Sequence, residues 1–128
     1  MINHIIFDWQ GVIEKTTRIN KDLLDWIKKN KNKYSYSILT NHPVEYNRKL
    51  KNLNIYNYYE AVVNPRNNSI RKPQAEAYKK ILQEVDKRED ECLFIDDSPT
   101  NVQKARNLGI KSIVYKDNSN LFKQFKKL

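Results

Sequence analysis

The sequence has one cysteine, two glycines, four prolines and one methionine in 128 residues. A single cysteine excludes an internal disulfide, and Cys92 sits within the apolar run CLFI, where it is expected to pack as a small buried hydrophobe. No apolar run approaches the ~20 residues needed to span a bilayer. The opening MINHIIFDWQ lacks the basic-then-apolar layout of a secretory signal, because its apolar stretch ends within a few residues at Asp8. A cytoplasmic location is the expectation, with no membrane contact. Internal repeats and low-complexity segments are absent too, and one domain over 1–128 is expected.

What is present is charge. Hydrophobic residues make up 39% and charged residues 30%, with a formal net charge of +9. That composition belongs to a globular chain rather than a fibrous or membrane one. A basic surface raises the local concentration of phosphate-bearing ligands, nucleic acid among them. The lysines are nevertheless scattered, at Lys28, Lys29, Lys31, Lys33, Lys49, Lys51, Lys79 and Lys80. Scatter of that kind suits exposed helix faces better than one selected patch.

Apolar runs alternate with amphipathic stretches from end to end. Ile5-Ile6-Phe7, Tyr36 to Leu39, Ala61 to Val63, Cys92 to Ile95 and Ser112 to Tyr115 read as five short strands. Between them the spacing predicts helices over 21–33, capped by Asn20, then from Pro43 and from Pro73. The Pro73 helix has an apolar face of Ala77, Tyr78, Ile81, Leu82 and Val85. A further helix runs from Pro99 to a stop at Gly109. Asn64 to Ile70 reads as a loop, with Pro65 and two Asn breaking any pattern. An amphipathic tail carrying Leu121, Phe122, Phe125 and Leu128 closes the chain.

Strands alternating with helices imply right-handed crossovers and a parallel sheet covered on both faces. In such sheets the ligand site lies beyond the carboxyl ends of the strands. Asp8, Thr40-Asn41 and Asp96-Asp97 each follow immediately after an apolar strand. One acid at a strand end means little; three decorated strand ends form a constellation. Carboxylates meeting at one rim repel unless a cation lies between them, and Mg²⁺ suits oxygen ligands when a phosphate completes its shell. Asp8 and Asp97 are the candidate ligands. The Thr40 hydroxyl can donate to a phosphate oxygen, and Lys72 can supply positive charge to the same oxygens. Screened in that way, an anionic substrate becomes open to attack by the Asp8 carboxylate.

FDWQGVI, ILTN, RKP before an amphipathic helix, and FIDDSPTNVQKARNLGI stand in series. In order and spacing they resemble the four motifs of the haloacid dehalogenase-like (HAD) hydrolase superfamily, over Ile5 to about Tyr115. The resemblance implies a three-layer α/β Rossmann-like fold with a five-stranded parallel sheet ordered 5-4-1-2-3. It also implies bound Mg²⁺ and phosphoryl transfer through an aspartyl-phosphate. Carried over, Asp8 would be nucleophile and metal ligand, and Gln10 would offer its backbone carbonyl to the metal. Thr40, with Asn41 beside it, would bind the phosphoryl group, and Lys72 would stabilise its charge. Asp97 would ligate the metal directly, with Asp96 close by in support and Asn101 steadying the loop.

Two departures matter. Phosphatases of the superfamily carry a second Asp two residues after the nucleophile, where this chain has Gln10. That Asp protonates the leaving oxygen and later activates water, and an amide does neither. General acid–base catalysis is typically worth about 10²–10⁴-fold. The intervals from Asp8 to Thr40 and from Thr40 to Lys72 are also too short for an inserted cap domain. An open site follows, with Gly11 to Arg18 as its only flap, suited to a phosphorylated and even macromolecular substrate. Three classes are therefore carried forward: a capless phosphatase or phosphotransferase, an impaired relative that still binds Mg²⁺ and phosphate, and a basic nucleic-acid-binding domain that keeps only the fold. Composition and spacing leave the oligomeric state undetermined.

Overall fold

The computed structural model describes residues 1–66 and 69–128. In chain order its elements are β1 (His4–Phe7), β2 (Glu14–Lys15), β3 (Arg18–Ile19), α1 (Lys21–Lys29), β4 (Ser35–Leu39) and α2 (Tyr46–Asn52). Then follow β5 (Tyr59–Val63), α3 (Ala75–Val85), β6 (Cys92–Asp96), α4 (Pro99–Asn107), β7 (Lys111–Val114) and α5 (Asn118–Phe125). The main sheet runs β5-β4-β1-β6-β7, with every neighbouring pair parallel. Counting only these five strands, that is the expected 5-4-1-2-3 arrangement.

β1 lies at the centre because HIIF is apolar enough to be covered on both faces, and all four residues are buried. Its side chains alternate between two cores. Ile5 and Phe7 join Leu93, Ile95 and Ile113 against α1, α2 and α5. Ile6 joins Leu39, Val63 and Phe94 against α3 and Ala105 of α4. Burying each such Ile, Leu or Phe contributes about 1.5–3 kcal/mol, so the three layers hold one another in place. α3 buries Ala77, Tyr78, Ile81, Leu82 and Val85, the face its spacing predicts. His4 is fully buried between the Ser35 and Ser37 hydroxyls, at 2.6 and 2.8 Å. Burial, helped by the charge of Lys87, lowers its pKa to about 4, so it serves the sheet as a neutral ring.

Element ends depart from expectation where polar turns intervene. α1 stops at Lys29 rather than 33, because Asn30 closes it with N–H bonds to Trp26 and Ile27 carbonyls. Pro43 does not open α2. The His42 N–H is held by the Thr40 hydroxyl and the Val44 N–H by the His42 carbonyl, so the helix waits for Glu45, whose carboxylate caps the Asn47 N–H at 2.7 Å. Pro73 likewise precedes α3, which begins after Gln74. Leu128 lies beyond α5 and is exposed. The expected loop over 64–70 includes Asn67 and Asn68, which lie outside the described residues. β2 and β3 form a small antiparallel hairpin between Asp8 and α1, in the stretch expected as a flap. Among the described residues no helix is long and apolar enough to cross a membrane.

Candidate active site

Asp8, Thr40 and Asp96 stand at the carboxyl ends of β1, β4 and β6, the three central strands. Sheet hydrogen bonds hold each backbone there: Asp8 N–H to Ile95 at 2.9 Å, Thr40 N–H to Val63 at 3.0 Å and the Asp96 carbonyl to Tyr115 at 2.8 Å. Asp8, Thr40, Lys72 and Asp96 are only 6, 2, 5 and 1% exposed. Four buried polar side chains at one rim demand partners: Asp8, Lys72 and Asp96 find them in each other, and the Thr40 hydroxyl takes the His42 N–H.

Lys72 Nζ donates to Asp8 Oδ1 at 2.9 Å and to Asp96 Oδ2 at 2.7 Å. Its backbone is clamped by Asn41, whose Oδ1 accepts the Lys72 N–H at 2.8 Å and whose Nδ2 donates to the Lys72 carbonyl at 3.0 Å. Asp96 is committed further. Its oxygens accept from the Ser98 backbone at 2.9 Å and from Asn101 Nδ2 at 3.1 Å. Asp97, by contrast, is exposed, and its carboxylate lies against Gly11.

Carboxylate oxygens of Asp8, Asp96 and Asp97 all lie within 4.8 Å of one another. Three carboxylates against one ammonium leave two negative charges uncompensated in a largely buried place. Burial raises the Asp8 pKa to about 7; Lys72 opposes the rise while Asp96 and Asp97 add to it. Asp97 is raised as well, by burial first and then by Asp96. A hard divalent cation with oxygen ligands fits this donor set and would relieve the repulsion.

Asp8, Gln10, Thr40, Asn41, Lys72, Asp96 and Asp97 therefore all line one cavity of about 330 Å³, together with His42, Ser98 and Asn101. The sequence named these residues from four separate segments, and the fold brings all of them to one rim. A second set escaped sequence reasoning. Trp9, fully buried, donates from Nε1 to Glu14 Oε1 at 2.8 Å, and Lys49 Nζ of α2 reaches the same oxygen at 3.1 Å. That junction ties the hairpin to the strand end and to α2. Its partners are 35 residues apart in the case of Glu14 and Lys49, and nothing local in the sequence marks them.

The signature of the haloacid dehalogenase-like hydrolase family matches residues 1–115. The chain belongs to that family. Solved structures agree with the fold of this HAD-like hydrolase. An uncharacterised protein from Corynebacterium glutamicum superposes with a TM-score of 0.82 at 21% identity, covering 99% of this chain and 94% of its own. A HAD-like family hydrolase from Porphyromonas gingivalis gives 0.81 at 16% identity, covering 99% and 97%. A HAD family enzyme from Bacteroides thetaiotaomicron, in complex with magnesium and inorganic phosphate, gives 0.77 at 18% identity, covering 95% and 100%.

One backbone position in this HAD-like chain allows a test without any ligand. Gly11 has φ +88°, and a Cβ built there would collide with the Asp97 carboxylate. Gly11→Ala is expected to destabilise the fold by roughly 1–3 kcal/mol, read from the midpoint of urea unfolding. An unchanged midpoint would show that the turn after Asp8 does not need its left-handed residue.

Proposed function

We propose that the protein is a Mg²⁺-dependent phosphatase or phosphotransferase in which Asp8 is the nucleophile. One observation carries the reading: the buried Asp8 carboxylate, paired with Lys72, shares a rim with Asp96 and Asp97 within the reach of a single ion. The magnesium and phosphate held by the Bacteroides enzyme support the same choice of ligands.

In this reading Asp8, the Gln10 backbone carbonyl and Asp97 hold the ion, while Asp96 supports Lys72 and the turn into α4. Bound there, the cation would keep Asp8 ionised and neutralise substrate oxygens. The free Asp8 oxygen attacks phosphorus, the bond to the leaving oxygen breaks, and an aspartyl-phosphate forms. Thr40 Oγ1 donates a hydrogen bond to the transferring group, and Lys72, in contact with Asp8 Oδ1, balances its charge. Water then attacks the acyl-phosphate and frees Asp8.

The leaving oxygen needs a proton, and Gln10 has none to give at neutral pH. Substrates whose leaving groups depart as stable anions, acyl or aryl phosphates, are therefore favoured. The chain acts as a single core domain over 1–128; among the described residues no cap covers the site, the flap is the stretch from Gly11 to Arg18 that carries most of the hairpin, and the open rim admits large phosphorylated substrates. Gln10 also favours a second reading, in which the site keeps Mg²⁺ and phosphate binding for regulation and turns over little.

Gln10→Asp decides between the two. With an alkyl phosphate and Mg²⁺, the variant is expected to gain about 10²–10⁴-fold in kcat. Absence of any gain, together with no beryllium fluoride adduct on Asp8, would favour the binding module.

A further inference from the structure

The amino end of the sheet, opposite the rim of Asp8 and Asp96, carries a basic and aromatic surface built on two turns. The first leads from α1 into β4, where the Lys33 and Tyr34 N–H groups both donate to the Asn30 carbonyl at 3.0 Å. The second is a 3-10 turn, Tyr56–Tyr58, just before β5, closed by the Tyr58 N–H on the Ile55 carbonyl at 3.0 Å. Three lysines reach over tyrosine rings there. Lys51 lies 4.9 Å from the centroid of Tyr56, Lys33 5.3 Å from that of Tyr34 and Lys31 5.8 Å from that of Tyr58. These residues line two hollows of about 590 and 440 Å³ that share the exposed Asn57 as a wall. Among the described residues lining them, Glu60 is the single acid and no side chain is aliphatic. Lysines scattered in the sequence are gathered here in space.

We propose that this surface binds single-stranded nucleic acid, with its lysines on phosphates and tyrosine rings on bases. β4 and β5 have five residues each, so at about 3.3 Å per residue the surface lies roughly 15 Å from the catalytic rim. It can therefore act whatever that rim does. Tyr56, 37% exposed, and the half-buried Tyr58 are the two platforms. Tyr34 is buried and stacked on Trp26 at 5.8 Å, so it anchors Lys33 and offers no face. A lysine over an exposed ring is weakly held, and it can swing to a phosphate and leave the ring to a base. Asn32, Asn54 and Asn57, all exposed, offer amide donors and acceptors to base edges. A duplex keeps its base faces covered by neighbouring bases, whereas a single strand presents them to an aromatic ring. An anionic membrane would call for apolar side chains that insert, and the hollows have none but tyrosine.

The test uses the full chain and a fluorescein-labelled oligothymidylate of about twelve nucleotides, read by anisotropy in EDTA. Binding is expected, and it should weaken as salt rises. Lys31→Gln/Lys33→Gln/Lys51→Gln should flatten the slope of log affinity against log salt by about 2, since each phosphate contact on a single strand contributes about 0.7. Tyr56→Leu keeps charge and bulk but removes the flat ring, and should weaken binding at least about fivefold. Its melting temperature and its rate with 4-nitrophenyl phosphate should match those of the unaltered chain. Lys79→Gln/Lys104→Gln/Lys123→Gln removes the same charge from α3, α4 and α5 and should cost far less affinity. Equal losses in the two triple variants, or an affinity untouched by Tyr56→Leu, would overturn the proposal. So would tighter binding to a duplex of the same length, capture of phosphatidylserine–phosphatidylcholine vesicles in preference to the strand, or no binding at low salt. Asp8→Asn should bind the strand as the unaltered chain does, so failure of the phosphoryl-transfer reading would leave this result standing.

Discussion

Asp8→Asn is expected to reduce turnover of an aryl phosphate by at least about 10³-fold, to the background of the reagents, since an amide cannot form the acyl-phosphate. The same variant should gain stability at pH 8. Asp8 holds its proton more tightly in the folded chain, at about 7, than its ordinary value of 3.8. A carboxyl shifted upward favours folding below its unfolded value and loses that advantage as pH climbs through its folded one. Above pH 7 the buried charge therefore opposes folding, by at most about 4 kcal/mol. Asparagine keeps the shape and removes the charge. A melting temperature higher by several degrees at pH 8, with about half that gain at pH 5.5 and little change below pH 4, is the signature to look for. Mg²⁺ should raise the melting temperature of the unaltered chain at pH 8 and that of the variant much less. Retained turnover in Asp8→Asn would end the nucleophile assignment.

Lys72→Met should produce the largest loss of stability of any single change at the site. The ammonium is the only cation in contact with the Asp8 and Asp96 carboxylates among the described residues, and both are almost wholly buried. Removing one partner of a buried ion pair typically costs about 3–5 kcal/mol, because the remaining charge stays desolvated. The loss should be smaller at pH 5.5, where Asp8 takes up a proton and ceases to need the lysine. Turnover should fall about 10²–10³-fold as well, through the lost charge on the transferring group. Urea midpoints at the two pH values check the first claim and steady-state rates the second. Equal midpoints for variant and unaltered chain at pH 8 would show that the pair carries no weight in the fold.

The sheet and the rim were legible in the sequence for a common reason. Strands covered on both faces must be short apolar runs, and β1, β4 and β6 are; a polar residue directly after such a run has nowhere to go but the end of the sheet. Asp8, Thr40 and Asp96 were therefore placed by the strands that precede them. The face of α3 was readable because one helical period governs all five of its buried residues. The hairpin was not readable in the same way. Its strands are two residues each, too short to show alternation, and its turn depends on Thr16 at φ +59°, a conformation no periodicity announces. The starts of α2 and α3 were misplaced because proline is tolerated both in a first helical turn and just ahead of one. Hydrogen bonds from Thr40 and Asn41 decided between those options. The Trp9, Glu14 and Lys49 cluster depends on side chains meeting across three elements, which only the assembled fold specifies.

Asn41 grips the Lys72 backbone from both sides, N–H and carbonyl, across the gap between β4 and the segment leading into α3. The lysine thus takes its coordinates from the end of a central strand instead of from the connection that delivers it.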